Sequence, residues 1–406
     1  MATDVKYLFL GGLFPKETEQ DIINNSIGSV QNAANVLQWN IVEGLDKNLD
    51  EPVKILNSLY IGSCPKRYKK LFIPTYNFKH IKEADDINVG FCNLSGYKML
   101  SRSINLNREL KNWIKNTPER KVVIAYAMTD VMINALYKAK QLDKDIVTCL
   151  IVPDLPQFMN TGSKPSIIYR LLKKLDSKYQ KMKLSYIDKY VLLTDRMNDE
   201  LKVKDYIVME GIAVDCYENM ENISGDEKTV FYAGGLNQKY GIKNLIDAFM
   251  KIEDPDYRLI LCGAGDSEDY IREAQKKDSR IDFKGLLPRK EILSLQISSS
   301  VLINPRQNIE EFTKYSFPSK TIEYMLSARP VIMYKLDGVP DEYDNYLNYV
   351  PDNSVDSLKQ KIVEICSLPV DERNRMGQAA RKFVLNEKNS EKQVKKIIDL
   401  CGYSDN

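Results

Sequence analysis

Histidine is almost absent from this sequence of 406 residues, which contains one, His80. Zinc sites built on imidazoles and Ser/His/Asp triads both need histidine at defined positions. Much of the hydrolase repertoire is therefore excluded. His80 lies in Tyr76-Asn-Phe-Lys-His-Ile, which we interpret as a loop, so we expect it to be an ordinary surface residue.

Paired cysteines, excess charge and long apolar runs are also missing. The seven cysteines are scattered without a C-x-x-C pair, which favours neither a disulfide framework nor a thiolate metal site. No apolar run approaches the ~20 residues that cross a bilayer, and no signal-peptide pattern opens the sequence. The net charge is only +2, which disfavours nucleic acid as a partner. We expect a cytoplasmic protein with at most a peripheral membrane contact.

Short apolar runs alternate with amphipathic stretches along the whole chain. Val5–Leu10 precedes a predicted helix over 26–44, and a second series of strands begins at Val230 after a polar stretch. This alternation is typical of parallel sheets covered by helices on both faces. At ~150 residues per domain, we predict an α/β protein with two doubly wound, Rossmann-like domains. They span 1–208 and 226–385, and 386–406 form a helix that packs back on the first domain.

A glycine-rich turn follows the first strand of the second domain. Gly234 and Gly235 allow a close backbone approach, the following helix start favours an anion, and Lys239 supplies a nearby cation. The turn suits a diphosphate, although an ordinary strand-to-helix turn explains it equally well. A second turn, Gly263-Ala-Gly265, lacks the third glycine of the dinucleotide fingerprint, and we interpret it as structural.

The segment 303–332 carries the strongest functional signal. Ser316 predicts the cap of a helix that contains Lys320 and, three positions later on the same face, Glu323. A cation for phosphates and a carboxylate for ribose hydroxyls would then face one ligand. A capped surface helix with a Lys–Glu pair is the alternative, but it leaves the preceding Arg306 unexplained.

The order of these motifs resembles the family 4 glycosyltransferases of the GT-B fold. The resemblance is specific over about 228–340 and weaker in the residues before 228. The resemblance implies two Rossmann-like domains with a cleft between them, and retaining sugar transfer from a nucleotide sugar without a metal or cofactor. The motifs that carry it are Gly234-Gly, Gly263-Ala-Gly, Phe283-Lys-Gly-Leu, Asn304-Pro-Arg, Ser316-Phe-Pro-Ser-Lys-x-x-Glu-Tyr and Arg329-Pro-Val-Ile.

The resemblance also implies roles for single residues. Glu323 matches the glutamate that holds the ribose, and Lys320 with the Ser319 backbone matches the helix start that holds the diphosphate. The family's arginine and lysine after the first glycine fall on Gly235 and Tyr240, so Lys239 and Arg306 are proposed as substitute cations. The predicted donor-site residues are Gly234, Gly235, Lys239, Gly285, Tyr315, Ser319, Lys320 and Glu323.

Two further departures concern catalysis. The first glutamate of the family's E-x7-E pair falls on Tyr315, so Glu310 or Glu311 is a candidate for its contact with the transferred sugar. The position where the family often has a histidine is Pro153, followed by Asp154. The predicted catalytic residues are Asp154, Arg306 and Lys320, and no metal ligand is predicted.

The acceptor side has weaker signals. Gly11 and Gly12, at the end of the first strand, are predicted to bind the acceptor, a saccharide or lipid-linked saccharide in bacterial surface polysaccharide assembly. The stretch 167–187 predicts a basic amphipathic helix suited to an anionic membrane surface, and the segment 64–71 adds a second basic cluster. A solvated lysine-rich face is the alternative explanation.

Other functions remain open at this level. A metal-dependent GT-A transferase would use a D-x-D motif, and both Asp143-Lys-Asp145 and Asp254-Pro-Asp256 fit that pattern. A non-catalytic nucleotide-sugar-binding subunit and a UDP-sugar epimerase on the same fold are the remaining alternatives. The sequence does not identify the sugar, the nucleotide, the linkage or the oligomeric state.

Overall fold

The computed structural model describes residues 5–28, 30–155, 182–217, 228–309 and 311–402. The chain divides into two compact units, an N-terminal unit of Met1–Glu210 with Ser390–Asn406 and a C-terminal unit of Gly211–Asn389. Each is built on a largely parallel sheet with helices, so the α/β prediction is confirmed. Most of the predicted basic stretch 167–187 lies outside the described residues.

The N-terminal unit contains an eight-stranded sheet in the order β10-β9-β8-β7-β1-β2-β5-β4. Its described strands pair in parallel except at β4, which is antiparallel to β5. The strands β3 and β6 form a separate antiparallel ribbon. The elements are β1 Val5–Gly11, α1 Glu19–Asn25, α2 Asn32–Asn48, β2 Lys54–Asn57, β3 Phe72–Ile73, β4 Tyr76–Phe78, β5 Asp86–Asn88, β6 Phe91–Cys92, α3 Lys98–Asn116, β7 Arg120–Tyr126, α4 Asp130–Leu142, β8 Val147–Val152, β9 Lys189–Leu192, α5 Met197–Leu201 and β10 Tyr206–Val208.

The C-terminal unit contains a six-stranded parallel sheet in the order β13-β12-β11-β14-β15-β16. This is the strand order of the Rossmann fold. The order in which successive strands are added to the sheet reverses between the first and fourth strands, here β11 and β14. The elements are β11 Lys228–Gly235, α6 Ile242–Met250, β12 Tyr257–Ala264, α7 Glu268–Lys277, β13 Ile281–Gly285, α8 Arg289–Ser298, β14 Val301–Asn304, α9 Lys320–Leu326, β15 Val331–Tyr334, β16 Asn348–Val350, α10 Val355–Cys366 and α11 Val370–Glu387.

The central strands form the two cores. Leu8, Phe9 and Leu10 of β1 are fully buried, as are Leu302 and Ile303 of β14. Continuous apolar runs of this kind are expected where helices cover both faces of a parallel sheet. Both strands end in polar or glycine residues at the carboxyl edge of the sheet, where an open α/β sheet binds its ligands.

The last helix, α12 (Ser390–Cys401), packs against α2 of the N-terminal unit. The two backbones approach closely at Gly44, where a Cβ atom would lie 2.4 Å from the Ser390 carbonyl oxygen. Asn48 Nδ2 also donates a hydrogen bond of 2.9 Å to the Glu391 carbonyl oxygen. Glycine at position 44 therefore allows the contact.

The predicted helix over 26–44 is wrong at its start. The chain forms α1 and α2 instead; after α1, Ser26 is extended and Gly28 has a positive φ of 88°. Ser26 pairs with Tyr68, and Ile27 donates its backbone N–H to the Arg67 carbonyl oxygen at 3.0 Å. Pairing with a segment distant in sequence interrupts the helix, and local periodicity does not reveal it.

The expectation that His80 is a surface residue is also wrong. Its side chain is 3% exposed and lies between two carboxylates, with Nδ1 2.6 Å from Asp86 Oδ2 and Nε2 3.0 Å from Asp46 Oδ2. Burial by itself lowers the pKa of His80, but hydrogen bonds to the two aspartates outweigh it and raise the pKa from 6.5 to about 9. His80 therefore joins α2 to β5 as a buried imidazolium.

Candidate functional site

The first glycine turn lies at the topological switch point of the C-terminal sheet. It leaves β11 at Gly235 and enters α6 through Gly241, which has a φ of 80°. A Cβ atom at Gly241 would lie 2.0 Å from the Pro305 carbonyl oxygen, directly after β14. The missing side chain lets the turn contact the segment that carries Arg306, so the two predicted motifs meet at this edge.

The second glycine turn supports the first. A Cβ atom at Gly263 would lie 1.9 Å from the Gly234 carbonyl oxygen, and one at Gly265 would lie 2.3 Å from the Leu236 backbone. Leu236 donates its N–H to the Ala264 carbonyl oxygen at 2.9 Å. These contacts give the second turn a structural role beneath the first.

Two of the predicted cations lie on one aromatic ring. Lys239 Nζ is 5.2 Å from the ring centroid of Tyr240, and the Arg306 guanidinium carbon is 5.8 Å from the same centroid. Such cation–π contacts hold a charged side chain in place without neutralising it. Burial lowers the pKa of Arg306, against the opposing effect of Tyr240 and Tyr232.

The expected cap at Ser316 is wrong. Helix α9 begins at Lys320, and Ser319 occupies the cap position without a side-chain hydrogen bond. The Ser316 hydroxyl instead accepts a hydrogen bond of 2.8 Å from Arg306 Nη2. A partly buried guanidinium requires hydrogen-bond acceptors, so the Ser316 hydroxyl bonds to Arg306 and does not cap the helix.

Glu323 is the centre of a hydrogen-bonded cluster. Its Oε1 accepts from Lys320 Nζ at 3.1 Å and from Gln296 Nε2 at 2.9 Å, and its Oε2 accepts from Arg289 Nη1 at 3.2 Å. Its side chain is 17% exposed. Burial alone raises the pKa of Glu323, but Lys320, Gln296 and Arg289 together lower it below the usual value. The carboxylate is therefore ionised and oriented.

Arg289 and Gln296 are site residues that sequence reasoning missed. Gln296 is fully buried in α8, and its Oε1 accepts a hydrogen bond from the buried Tyr217 hydroxyl. The amide thus links Tyr217 to Glu323. A glutamine within a helix has no distinctive sequence signal, and only the packing of α8 beside Glu323 reveals this contact.

Two other predicted donor-site residues, Gly285 and Tyr315, lie in the same unit. Gly285 ends β13 with a φ of 65°, and the loop after it leads to Arg289 at the start of α8. Tyr315 ends a short 3₁₀ helix before Ser316 and is half-buried. Glu310 lies outside the described residues, and the side chain of Glu311 is likewise not described.

Of the two predicted acceptor residues, Gly11 ends β1 of the N-terminal unit and Gly12 follows it. Gly12 donates its N–H to Gln38 Oε1 at 2.7 Å, and a Cβ atom at Gly12 would lie 2.2 Å from the Tyr60 ring. Gly11 is similarly close to Phe9 and Gln38. Both glycines therefore make room for packed side chains at the carboxyl edge of this sheet.

Asp154 follows β8 at the same edge of the N-terminal sheet. It keeps an exposed face, but desolvation by the atoms around it raises its pKa. Burial, Tyr60 and the charge of Asp154 together raise the pKa of Tyr126, at the end of β7. A carboxyl with a raised pKa is suited to proton transfer.

Neither D-x-D pattern presents a pair of uncommitted carboxylates. Asp143 pairs with Lys121 at 3.0 Å, and Asp254 pairs with Lys228 at 2.6 Å. Across the described ranges, no three His, Cys, Asp or Glu side chains lie close enough to hold a metal ion. The same part of the chain contains no helix long and apolar enough to cross a membrane.

The chain is similar to a known family and to several solved structures. Residues 217–383 match the family described as Glycosyl transferases group 1, and no curated protein matches the sequence. A TarM mutant from S. aureus, solved with Fondaparinux, alpha-GlcNAc-glycerol and UDP, has 14% identity and a TM-score of 0.52. That match covers 84% of this chain and 66% of TarM.

Two further structures match over almost their full length. A trehalose-6-phosphate protein from E. coli bound with UDP-2-fluoro glucose has 9% identity, a TM-score of 0.63 and coverage of 98% of this chain and 99% of its own. The UDP-forming trehalose-phosphate synthase from Burkholderia xenovorans has 8% identity, a TM-score of 0.60 and coverage of 98% and 100%. At these identities the likeness establishes the fold alone.

The matched region defines a class of enzyme. The chain has the GT-B fold, as predicted, and the family match over residues 217–383 makes it a glycosyltransferase. Its Glycosyl transferases group 1 domain spans residues 217–383 and contains the Glu323 cluster, both glycine turns and Arg306.

Proposed function

We propose that the chain is a retaining, metal-independent transferase of the family 4 type. It moves a sugar, most simply from a UDP-sugar, to a saccharide or lipid-linked saccharide acceptor in bacterial surface polysaccharide assembly. The observation that carries the proposal is the oriented carboxylate of Glu323, which Lys320, Arg289 and Gln296 hold within the group 1 domain. UDP is favoured because TarM and the E. coli protein were solved with UDP and UDP-2-fluoro glucose.

Glu323 is proposed to hold the nucleotide. An ionised carboxylate accepts hydrogen bonds from two neighbouring hydroxyls, which the ribose of a nucleotide offers. Arg289 and Gln296 orient the carboxylate through hydrogen bonds of 3.2 and 2.9 Å, independently of Lys320. Lys320 is therefore able to turn towards a phosphate while Glu323 stays in position.

The cations around the first glycine turn are proposed to hold the diphosphate. Negative charge grows on the nucleoside diphosphate as it leaves the sugar, and preorganised donors stabilise that charge most strongly in the transition state. The acceptor hydroxyl then attacks the sugar on the same face that the diphosphate leaves. The proposed diphosphate contacts are Gly234, Gly235, Lys239, Arg306, Ser319 and Lys320.

The remaining assignments concern the two sugars. Tyr315 and Gly285 are proposed to contact the donor, Tyr315 in the place of the family's first glutamate. Gly11 and Gly12 are proposed to line the acceptor site in the N-terminal unit, and Asp154 is our candidate for a catalytic group there.

Ligand binding tests the donor site directly. We expect UDP to raise the melting temperature more than GDP, dTDP or ADP in a thermal-shift panel, because a ligand that binds only the folded state stabilises it, by about 2.7 kcal/mol at ~100 times Kd. Glu323→Gln should reduce the shift, since it removes the charge and one acceptor oxygen. The matched control is Glu364→Gln, because Glu364 also pairs with a lysine three positions earlier, at 2.7 Å.

The thermal-shift panel and assays of turnover together distinguish the candidate functions. A flat response to all four nucleotides would contradict the donor site. UDP binding without turnover of any UDP-sugar would favour the non-catalytic alternative. Conversion of the donor to a different UDP-sugar without an acceptor would favour the epimerase.

Asp154 is tested by turnover. We expect Asp154→Asn to lower the rate of sugar transfer about 10²-fold or more, the usual effect of losing a group that transfers a proton. The UDP-induced thermal shift should not change, because the proposed UDP contacts all belong to the C-terminal unit. Asp205→Asn, at an exposed aspartate of the same unit, is the control. Transfer at the wild-type rate in Asp154→Asn would exclude the assignment.

A further inference from the structure

Two segments of the N-terminal unit form one continuous surface feature, residues 62–72 and 91–104, which we call the ribbon lobe. Its centre is the antiparallel pairing of β3 with β6. Asn93 donates its N–H to the Leu71 carbonyl oxygen at 2.7 Å, and Cys64 pairs with Leu94. The lobe continues into the first turns of α3, because Cys92 donates its N–H to the Ser101 hydroxyl at 2.9 Å.

The ribbon lobe exposes an unusual number of large apolar side chains. Leu100 and Ile104 lie four positions apart on one face of α3, while Leu106 and Leu110 on another face are fully buried. Apolar residues on a solvent-facing helix surface mark an interaction site when they cluster with others. The exposed fractions are 37% for Leu71, 69% for Phe72, 47% for Leu94, 47% for Tyr97, 56% for Leu100 and 55% for Ile104.

The charges of the lobe have one sign. No acidic residue occurs between Glu51 and Glu83 or between Asp86 and Glu109, although the chain has 56 in all. The lobe's exposed cations are Lys66, Arg67, Lys69 and Lys70. Asp21 of α1 reaches Lys70 at 2.7 Å, and within the described residues the other three have no ion-pair partner. The lobe therefore combines protruding apolar side chains with a positive rim.

We propose that the ribbon lobe docks on a lipid bilayer that contains anionic lipids. Phe72, Leu100 and Ile104 enter the boundary between headgroups and acyl chains, and the lysines and Arg67 contact the headgroup phosphates. A second copy of this chain fits less well, because it would bring the same positive rim against itself. This surface is independent of the proposed function, since it contains none of the donor or acceptor residues.

The test is cosedimentation with vesicles, without donor or acceptor. We expect binding to vesicles of phosphatidylcholine with phosphatidylglycerol, weakened by salt, and little binding to phosphatidylcholine alone. Lys66→Gln with Arg67→Gln should weaken binding about 30-fold, at about 1 kcal/mol for each charge. Phe72→Ser should weaken it about tenfold through lost apolar burial.

Matched controls lie at the end of α4 in the same unit. Leu142→Ser replaces a side chain that is 44% exposed, and Lys144→Gln removes an exposed charge. Both should bind vesicles as the wild type does. Because every substituted side chain is exposed, the variants should fold, and tryptophan fluorescence checks this.

Three results would overturn the proposal. The first is equal binding to neutral and anionic vesicles, or none to either. The second is anionic binding that Phe72→Ser and the double charge variant leave unchanged, which would place the membrane contact elsewhere. The third is a dimer in sedimentation velocity that Phe72→Ser abolishes, which would make the lobe a protein interface. Each result is independent of UDP binding and sugar transfer.

Discussion

Lys320→Ala is expected to lower kcat for sugar transfer by about 10²–10³-fold, the loss that follows removal of one preorganised donor to developing negative charge. Lys320 reaches the Glu323 carboxylate at 3.1 Å in the structure. Gln296 and Arg289 still hold that carboxylate after the substitution, so KM for the donor should change less than kcat. Steady-state kinetics with the preferred UDP-sugar measures both constants.

The control is Lys361→Ala, which breaks another lysine–glutamate pair with the same three-residue spacing, on α10. It should transfer sugar at the wild-type rate, because Lys361 belongs to none of the proposed contacts. An unchanged kcat in Lys320→Ala would show that Lys320 is only an ion-pair partner of Glu323 and has no role in catalysis. A rise in KM with kcat unchanged would make Lys320 a residue that binds ground state and transition state equally.

The stability of the N-terminal unit is expected to fall as the pH rises above neutrality. The pKa of His80 is about 9 in the folded protein against 6.5 when unfolded, so its contribution is complete below pH 6.5 and is lost as the pH passes through 9. The difference corresponds to about 3 kcal/mol of unfolding free energy. Urea titrations followed by tryptophan fluorescence report this unit alone, because Trp39 and Trp113 are the chain's two tryptophans and both lie in it.

His80→Gln provides the comparison. The variant should be strongly destabilised at pH 6.5, by about 3–5 kcal/mol, because the carboxylates of Asp46 and Asp86 lose their cation. The difference from the wild type should then shrink steadily towards pH 10. A difference that stays constant over this range would show that His80 is not protonated in the folded protein.

The alternation of apolar runs and helices was sufficient to predict the central strands of the two sheets. Predicted Val5–Leu10 corresponds to β1, and the series that begins at Val230 corresponds to β11 onwards. Strands buried on both faces carry their signal within a few neighbouring residues, so local sequence suffices. The break between α1 and α2 was not predictable in this way, because it depends on Ser26 pairing with Tyr68.

The motifs after β11 and β14 were visible in the sequence because glycine, proline and charged residues cluster there. Their neighbours were not. The Glu323 cluster is completed by residues from other parts of the same unit, Gln296, Arg289 and Tyr217. His80 likewise contacts Asp46 of α2 and Asp86 of β5. Nothing in the spacing of these residues along the chain records that they touch.

The sequence by itself determined the α/β class, the order of the motifs and the scarcity of histidine. These depend on residue type and local periodicity, which chain neighbours define. Only the tertiary structure decided how polar groups are shared, since a buried group takes whichever partner packing brings close. The Ser316 hydroxyl bonds to Arg306 and does not cap a helix. His80, expected at the surface, is a buried cation beside Asp86.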